Sequence, residues 1–281
     1  MSKLLRSDFR RLFRSKLFYL CLLPTAVTMM FALFNNLQYL EVMENLELPL
    51  DNLLFMGTTV IGFPIAIFTS FFIGTEYSDG TMRNKILVGN SRSSVYLSYL
   101  ITTSVAALAM LAVGTVFVLF LGIFWMGWFV TSPVILIPQI LCCLLSVIAF
   151  NSIIVALAVL VHHKAICAVV CLVIAMLMVN IVAPFLWDKL EAEEPMNPEI
   201  TYTDTDGVVH VIPEKPNPKY PTGIKRVLLQ FCYDTLPTAQ MYQYGYDEMP
   251  QNIELFPIYS VLFVGIFTTT GICIYKRRDL K

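Results

Sequence analysis

Long apolar runs alternate with short polar segments along most of the chain. A helix needs about 20 apolar residues to cross a bilayer, and six runs approach or exceed that length without Asp, Glu, Lys, Arg or His. They cover residues 17–34, 53–73, 95–121, 133–161, 165–187 and 256–275. The pattern predicts an all-α polytopic membrane protein with six transmembrane helices. Five lie in residues 1–187, and the sixth, with a basic tail, lies in residues 256–281.

The composition agrees with this prediction and narrows the function. Of the 281 residues, 57% are hydrophobic and 14% are charged, whereas a soluble domain is about 25% charged. Ion-coupled carriers normally bury ionisable residues inside their spans, so uncharged spans disfavour a facilitator or an ion-coupled carrier. The phosphate-binding pattern Gly-x-x-x-x-Gly-Lys-Ser/Thr is absent from the sequence. We therefore expect no ATPase activity in this chain, no catalytic residue and no metal site.

The charges between the runs predict the orientation in the membrane. With the N-terminus in the cytoplasm, the cytoplasmic segments hold 14 of the 19 bases and 4 of the 20 acids. This distribution follows the positive-inside rule and predicts a plasma-membrane protein with both termini in the cytoplasm. Basic segments at this surface fit anionic membrane lipids, and we expect no nucleic-acid partner.

The N-terminal segment, residues 1–16, is amphipathic at helical spacing. Its apolar residues Leu5, Phe9, Leu12 and Phe13 share one predicted face, and bases occupy the other. Such a helix lies in the membrane interface with its bases toward lipid phosphates. The alternative is a disordered basic tail that only sets the orientation.

One external region, residues 188–255, separates the fifth and sixth runs. Eight prolines interrupt it, and ITYTDTDGVVHVI reads as a β-hairpin with a two-residue turn at Asp206-Gly207. That turn would group Tyr202 and Asp204 with Val209 and Val211 on one face. A short amphipathic helix is predicted at 223–236, with Ile224, Val227, Leu228 and Phe231 on one side. We expect a small cap that lies on the helix bundle.

A charged, glycine-containing segment, residues 73–94, connects the second and third runs. Asp79 and Thr81 are candidate N-caps, and Gly89-Asn90 is a candidate stop. Between them Met82 and Ile86 are spaced to form an apolar ridge, flanked by Arg83 and Lys85. The spacing predicts a short amphipathic helix over 80–88 on the cytoplasmic side. A rigid helix held between two spans has the form of a docking element for a soluble subunit.

The same segment carries a resemblance to a known family. Residues 74–81, GTEYSDGT, resemble the (G/R)-x-E-x-x-x-G-T pattern that follows the second span in ABC-2 type transporter permeases. The resemblance implies that 80–88 is the coupling helix seated on the ATPase and that 1–16 is the interfacial elbow helix. It also implies that two permease copies assemble with two cytoplasmic ABC ATPase subunits. ATP and Mg²⁺ would bind to the ATPase.

These inferences give a set of candidate residues and an alternative function. The candidate coupling residues are Glu76, Gly80, Thr81, Met82, Arg83 and Ile86. Asn151 and Asn180 are candidates for a substrate pathway, although polar residues in spans more often join helices by hydrogen bonds. The favoured function is the permease subunit of an exporter of a hydrophobic or amphipathic substrate, such as a peptide antibiotic, drug or lipid. The alternative is a non-transporting immunity or sensor protein that binds a ligand through 188–255.

Overall fold

Helices make up most of the structure. A computed structural model describes residues 1–42, 50, 54–126, 128–161, 163–192, 195–197, 200–203, 209–212, 215–217, 219–246 and 250–277. The helices are α1 (Ser2–Arg14), α2 (Lys16–Val42), α3 (Gly62–Ser78), α4 (Thr81–Leu87), α5 (Arg92–Met126), α6 (Pro133–Leu160), α7 (Lys164–Leu177), α8 (Ala183–Glu191), α9 (Ile224–Thr235), α10 (Pro237–Tyr246) and α11 (Phe256–Arg277).

Five helical segments in the described part of the chain are long and apolar enough to cross a membrane. They are Lys16–Asn35, Arg92–Phe124, Pro133–Leu160, Lys164–Glu191 and Ile253–Arg277. Each corresponds to one of the apolar runs in the sequence, as expected of an all-α multi-pass membrane protein. The fourth segment contains α7 and α8, joined by a π-helical turn at Met178–Val182.

The predicted second span, 53–73, has different bounds in the structure. A 3₁₀ turn, Met56–Thr59, precedes α3, which begins at Gly62 and continues past Ile73 to Ser78. Pro64 lies in the first turn of α3, where its missing N–H leaves no helical hydrogen bond unmade. The 17 residues of α3 rise about 25 Å, which is less than the roughly 30 Å of a hydrocarbon core.

The helices form a bundle around one main apolar core, with two smaller clusters beside it among the described residues. Neighbouring pairs include α2 with α5, α3 with α7, and α6 with α11. Phe68 and Phe150 are buried in this core, and Tyr96 of α5 is buried against α11, where its hydroxyl donates to the Phe267 carbonyl. A Cβ on Gly271 would collide with the Tyr96 hydroxyl, so this glycine lets α11 approach α5 closely.

Helix α10, which lies between α8 and α11 in the sequence, packs into the bundle. Buried residues of α10 include Gln240 and Met241, and the helix packs against α6 and the 3₁₀ turn. The Thr58 hydroxyl donates to the Met241 carbonyl at 2.7 Å. Gln240 Oε1 accepts from Ser146 at 2.7 Å and from Ser260 at 2.9 Å. The expectation of a cap lying on the bundle was therefore wrong for α10, because this helix is buried against α6 and the 3₁₀ turn that precedes α3.

Two short antiparallel strand pairs lie in the same segment. β2 (Ile200–Thr203) pairs with β3 (Val209–Ile212), and β1 (Pro195–Asn197) pairs with β4 (Lys215–Pro216). Thr203 is opposite Val209, whereas a two-residue Asp206-Gly207 turn would put Thr203 opposite His210. The predicted register, and with it the predicted face, was wrong by one residue. The turn residues, 204–208, lie outside the described residues.

Candidate functional site

The helix α4 is bounded by two left-handed glycines. Gly80 has φ 68° and Gly89 has φ 96°, a region that other residues enter only at a cost. Gly80 occupies the N-cap position and no side chain caps α4, so the prediction of Asp79 or Thr81 as the N-cap was wrong. At the other end Asn90 Nδ2 donates to the Lys85 carbonyl at 2.9 Å, and the predicted stop at Gly89-Asn90 is confirmed.

The motif residues before Gly80 form the last turns of α3 and make contacts inside the protein. A Cβ on Gly74 would lie 3.2 Å from the Lys164 Cα, so this glycine allows α3 to pass close to the start of α7. The Tyr77 hydroxyl donates to the Val159 carbonyl at 2.7 Å. The Thr81 hydroxyl donates to the Glu76 carbonyl at 3.4 Å. These contacts fix the end of the bundle that carries α1 and α4, hereafter the α1 end.

Glu76 is the centre of this arrangement, with 2% of its surface exposed. Its Oε1 accepts hydrogen bonds from Arg11 and from Lys85 Nζ, the latter at 2.6 Å. Its Oε2 accepts from the Tyr99 hydroxyl. A buried carboxylate is tolerated when opposite charges and donors satisfy it, and Glu76 has both.

Asp8 of α1 is a second buried acid and shares the lysine. Lys85 Nζ donates to Asp8 Oδ1 at 2.6 Å, and the Ser98 hydroxyl donates to Asp8 Oδ2 at 2.6 Å. Asp8, Arg11, Glu76 and Lys85 thus form a cluster of two acids and two bases, hereafter the ion cluster. Through Lys85 it joins α4 to α1 and α3, and through Ser98 and Tyr99 it reaches α5.

Aromatic rings cover the two bases of the ion cluster. The Arg11 guanidinium carbon lies 3.6 Å from the centroid of the Phe72 ring, and Lys85 Nζ lies 4.8 Å from that of Tyr99. Contacts of this kind between a cation and a ring face are attractive, more so where water is excluded. The ion cluster therefore holds α4 in a fixed orientation relative to three other helices.

The apolar ridge of α4 faces the bundle. Met82 is 1% exposed and belongs to the main core, and Ile86 packs against that core. The prediction that Met82 and Ile86 form an outward docking ridge was wrong, because they cover the α1 end of the core. The outward apolar residues are Leu87, 72% exposed, and Val88, 84% exposed.

The other four candidate coupling residues differ in their exposure to solvent. Gly80, Thr81 and Arg83 are exposed, whereas Glu76 is buried. Of the candidate coupling residues, the structure thus puts three at the surface. The role of Glu76 is to hold α4 from within, since no surface of its carboxylate is left for a soluble partner.

The two asparagines proposed for a substrate pathway lie in different surroundings. Asn151 is fully buried: it accepts from Thr69 at 2.9 Å, and its Nδ2 donates to Thr103 at 2.9 Å and Ser104 at 3.0 Å. These bonds join α6 to α3 and α5, so Asn151 connects helices by hydrogen bonds, as polar residues in spans more often do. Asn180 is exposed in the π-helical turn, and its Nδ2 donates to the Met176 carbonyl at 3.3 Å.

Sequence reasoning missed most of the ion cluster. The buried row of α1 is Leu4, Asp8 and Leu12, whereas Phe13 of the predicted apolar face is exposed. A local signal existed, because Asp8 is one helical turn from both leucines and is the one acid in residues 1–16. For Tyr99 no local signal existed, since it meets Glu76 across 23 positions of the chain.

Comparison with known proteins supplies no family for this chain. The sequence matches no protein-family model. No curated protein matches it at a significant level.

Proposed function

We propose that this chain is the transmembrane subunit of an ATP-driven exporter of the ABC-2 type. The observation that carries the proposal is the construction of α4. Glu76 and Asp8 hold it from the inside through Lys85, while Leu87 and Val88 project from its outer end. A short helix that is firmly joined to the bundle and has an exposed apolar tip is suited to take up movement from a soluble subunit.

The topology of the proposal follows from the charges and the bundle. We assign α3 as a sixth span, which is short because a 3₁₀ turn, packed against α10, precedes it. Both termini, α1 and α4 then lie on the cytoplasmic side of the plasma membrane. The strand pairs and α9 lie outside, where β2 and β3 would be joined as a hairpin. Bases on the inner surface would contact anionic lipid headgroups.

Force would travel through the ion cluster in this proposal. Closure of an ATPase around ATP and Mg²⁺ would push on Leu87, Val88 and Arg83. Because Lys85 binds acids of both α1 and α3, α4 cannot move without carrying those helices with it. Two permease subunits would then rock against each other. They are either two copies of this chain or this chain paired with a related permease. A hydrophobic or amphipathic substrate would pass between them.

Co-purification of ATP hydrolysis tests the proposal. The tagged chain, expressed in its native cell, should purify with vanadate-sensitive ATPase activity. Leu87→Asp and Val88→Asp should remove that activity from the purified complex, because each puts a charge at an apolar contact. Thr222→Asp, at an exposed position of the opposite end, is the matched control and should retain it.

Two results would contradict the proposal. ATPase activity that co-purifies equally with Leu87→Asp and Thr222→Asp would remove α4 as the docking element. A wild-type chain that purifies from native membranes without any ATPase would favour a non-transporting protein that binds its ligand through residues 188–255.

A further inference from the structure

Helix α9 presents an exposed apolar ridge. Ile224, Val227, Leu228 and Phe231 follow helical spacing, and each is more than half exposed. Contiguous apolar surface of this kind marks an interaction site in a folded protein. The ridge was visible in the sequence pattern, but nothing in the proposed transport function uses it.

The opposite side of α9 fixes the orientation of the ridge. Tyr233 is buried in a small core with Ala183 and Leu186 of α8. Asp234 Oδ2 accepts from Asn252 at 2.7 Å, and the Asp234 carbonyl accepts from Gln240 at 2.6 Å. The helix is therefore anchored at its C-terminal end, and the ridge cannot turn inward without breaking these contacts.

The ridge is continuous with the exposed apolar face of a membrane-spanning segment. The rings of Phe231 and Tyr259 meet edge to face, with centroids 6.1 Å apart. On the same α11, Ile258, Val261 and Leu262 are each more than half exposed. The exposed apolar face of α11 thus meets the ridge of α9 through the Phe231–Tyr259 contact.

Basic residues gather at the other end of α9. Four of the five bases in 188–255 fall within residues 215–226, and no acid occurs from 215 to 233. Lys219 and Lys225 are exposed, and the Arg226 guanidinium stacks on Tyr220 at 4.5 Å. In a region that otherwise carries an excess of acids, this is a local positive charge complementary to phosphate.

We propose that α9 lies in the membrane interface at the end of the bundle opposite α1, with its apolar ridge among lipid acyl chains and Lys219 and Lys225 on lipid phosphates. An amphipathic helix with bases beside an apolar face binds a leaflet in this way. Under the topology above, this is the outer leaflet. The proposal needs only a membrane-embedded bundle and stands whether or not an ATPase docks on α4.

Spin labels on the full chain in phospholipid nanodiscs test this placement. Labels at Val227→Cys and Leu228→Cys report the ridge, and Thr222→Cys reports an exposed position beyond the helix. All three are made with Cys232→Ser and Cys273→Ser, because Cys232 and Cys273 are exposed. Labels at 227 and 228 should lose collisions with a water-soluble nickel chelate and keep those with oxygen, relative to the label at 222.

Two outcomes would overturn the placement. Equal nickel collisions at 222, 227 and 228 would mean that the ridge faces water. Protection of 227 and 228 from both oxygen and nickel, with spin–spin broadening between labels, would mean that a second copy covers it.

A second measurement tests the basic end. Lys219→Glu with Lys225→Glu should increase nickel collisions at 227 in phosphatidylglycerol discs. Unchanged collisions would refute the phosphate contacts.

Discussion

Buried charge is the dominant feature at the scale of single residues. Glu76 and Asp8 are both almost fully buried, and Lys85 binds the two of them. Removing one member of a buried ionic network leaves an uncompensated charge, which costs more than the intact network contributes. The ion cluster is thus stable only while all four members are present.

The carboxylate of Glu76 provides the first prediction. Glu76→Gln leaves Arg11 and Lys85 with one acid between them and should lower the free energy of unfolding by about 3 kcal/mol. Thermal melting of the purified protein in detergent measures the loss. Asp79→Asn, at an exposed position three residues away, is the control and should change stability by less than about 0.5 kcal/mol. Equal melting temperatures for the two variants would contradict the burial of Glu76.

The two span asparagines give a second prediction. Asn151→Leu removes three interhelical hydrogen bonds and should destabilise the protein by about 1–2 kcal/mol. Asn180→Leu, at an exposed position, should leave the melting temperature within error of the wild type. A transport defect without destabilisation in Asn151→Leu would instead place this residue on the substrate pathway.

Asp234 gives the pH dependence expected of the external region. Burial raises the pKa of this carboxyl above its ordinary value of 3.8, against smaller opposing effects from Asn252 and Gln230. The folded state therefore favours the protonated form. The stability that the protonated Asp234 carboxyl contributes is complete below pH 3.8 and is lost as the pH rises through the raised pKa.

The corresponding variant is Asp234→Asn, which cannot ionise. It should flatten the melting temperature as a function of pH above pH 3.8 relative to the wild type. Asp188→Asn, at an exposed position, should keep the wild-type profile. A profile for Asp234→Asn that falls as steeply as that of the wild type would show that Asp234 is not the group responsible.

At the scale of elements, α4 combines an inner and an outer face in seven residues. Met82→Asp should destabilise the protein by about 4 kcal/mol, because it puts an unpaired charge into the core. Leu87→Asp should change stability by less than about 0.5 kcal/mol, since Leu87 faces away from the bundle. Melting of both variants in the absence of any partner checks this difference. Equal destabilisation by the two would contradict the orientation of α4.

The length of the uncharged apolar runs predicted most of the long helices, since it depends only on neighbouring positions. The predicted starts of α5 and α6 are within three residues of the observed ones. The start of α3 was missed by nine residues, because α10 packs against the 3₁₀ turn before it. The register of β2 and β3 was missed by one residue, because it depends on the length of the connection rather than on a dipeptide.

The same limit applies to the candidate site. Glu76 and Gly80 were recognised from a local motif, and the end of α4 was predicted from Gly89-Asn90, whereas its N-cap was assigned to Asp79 or Thr81 instead of Gly80. The direction in which α4 faces was not predictable, because Met82 and Leu87 are both apolar and only packing decides which is covered. The ion cluster joins residues up to 77 positions apart, beyond the reach of helical periodicity.

At the scale of the whole molecule, the two ends of the bundle differ both in the elements they carry and in their charge. The α1 end carries α1, α4 and the basic end of α11. The opposite end carries the proline-rich region, whose bases gather beside the apolar ridge of α9. One end is suited to a soluble partner and an anionic surface, and the other is suited to the lipid interface. The proposed function depends on which end faces the cytoplasm.

Cysteine labelling from each side of the membrane tests this orientation most directly. Val88→Cys and Thr222→Cys, each with Cys232→Ser and Cys273→Ser, are treated with a membrane-impermeant maleimide in intact cells and in inside-out vesicles. We predict that Val88→Cys reacts only in the vesicles and Thr222→Cys only in the cells. Reaction of Val88→Cys in intact cells would put α4 outside, where no ATPase could reach it, and would contradict the proposed coupling.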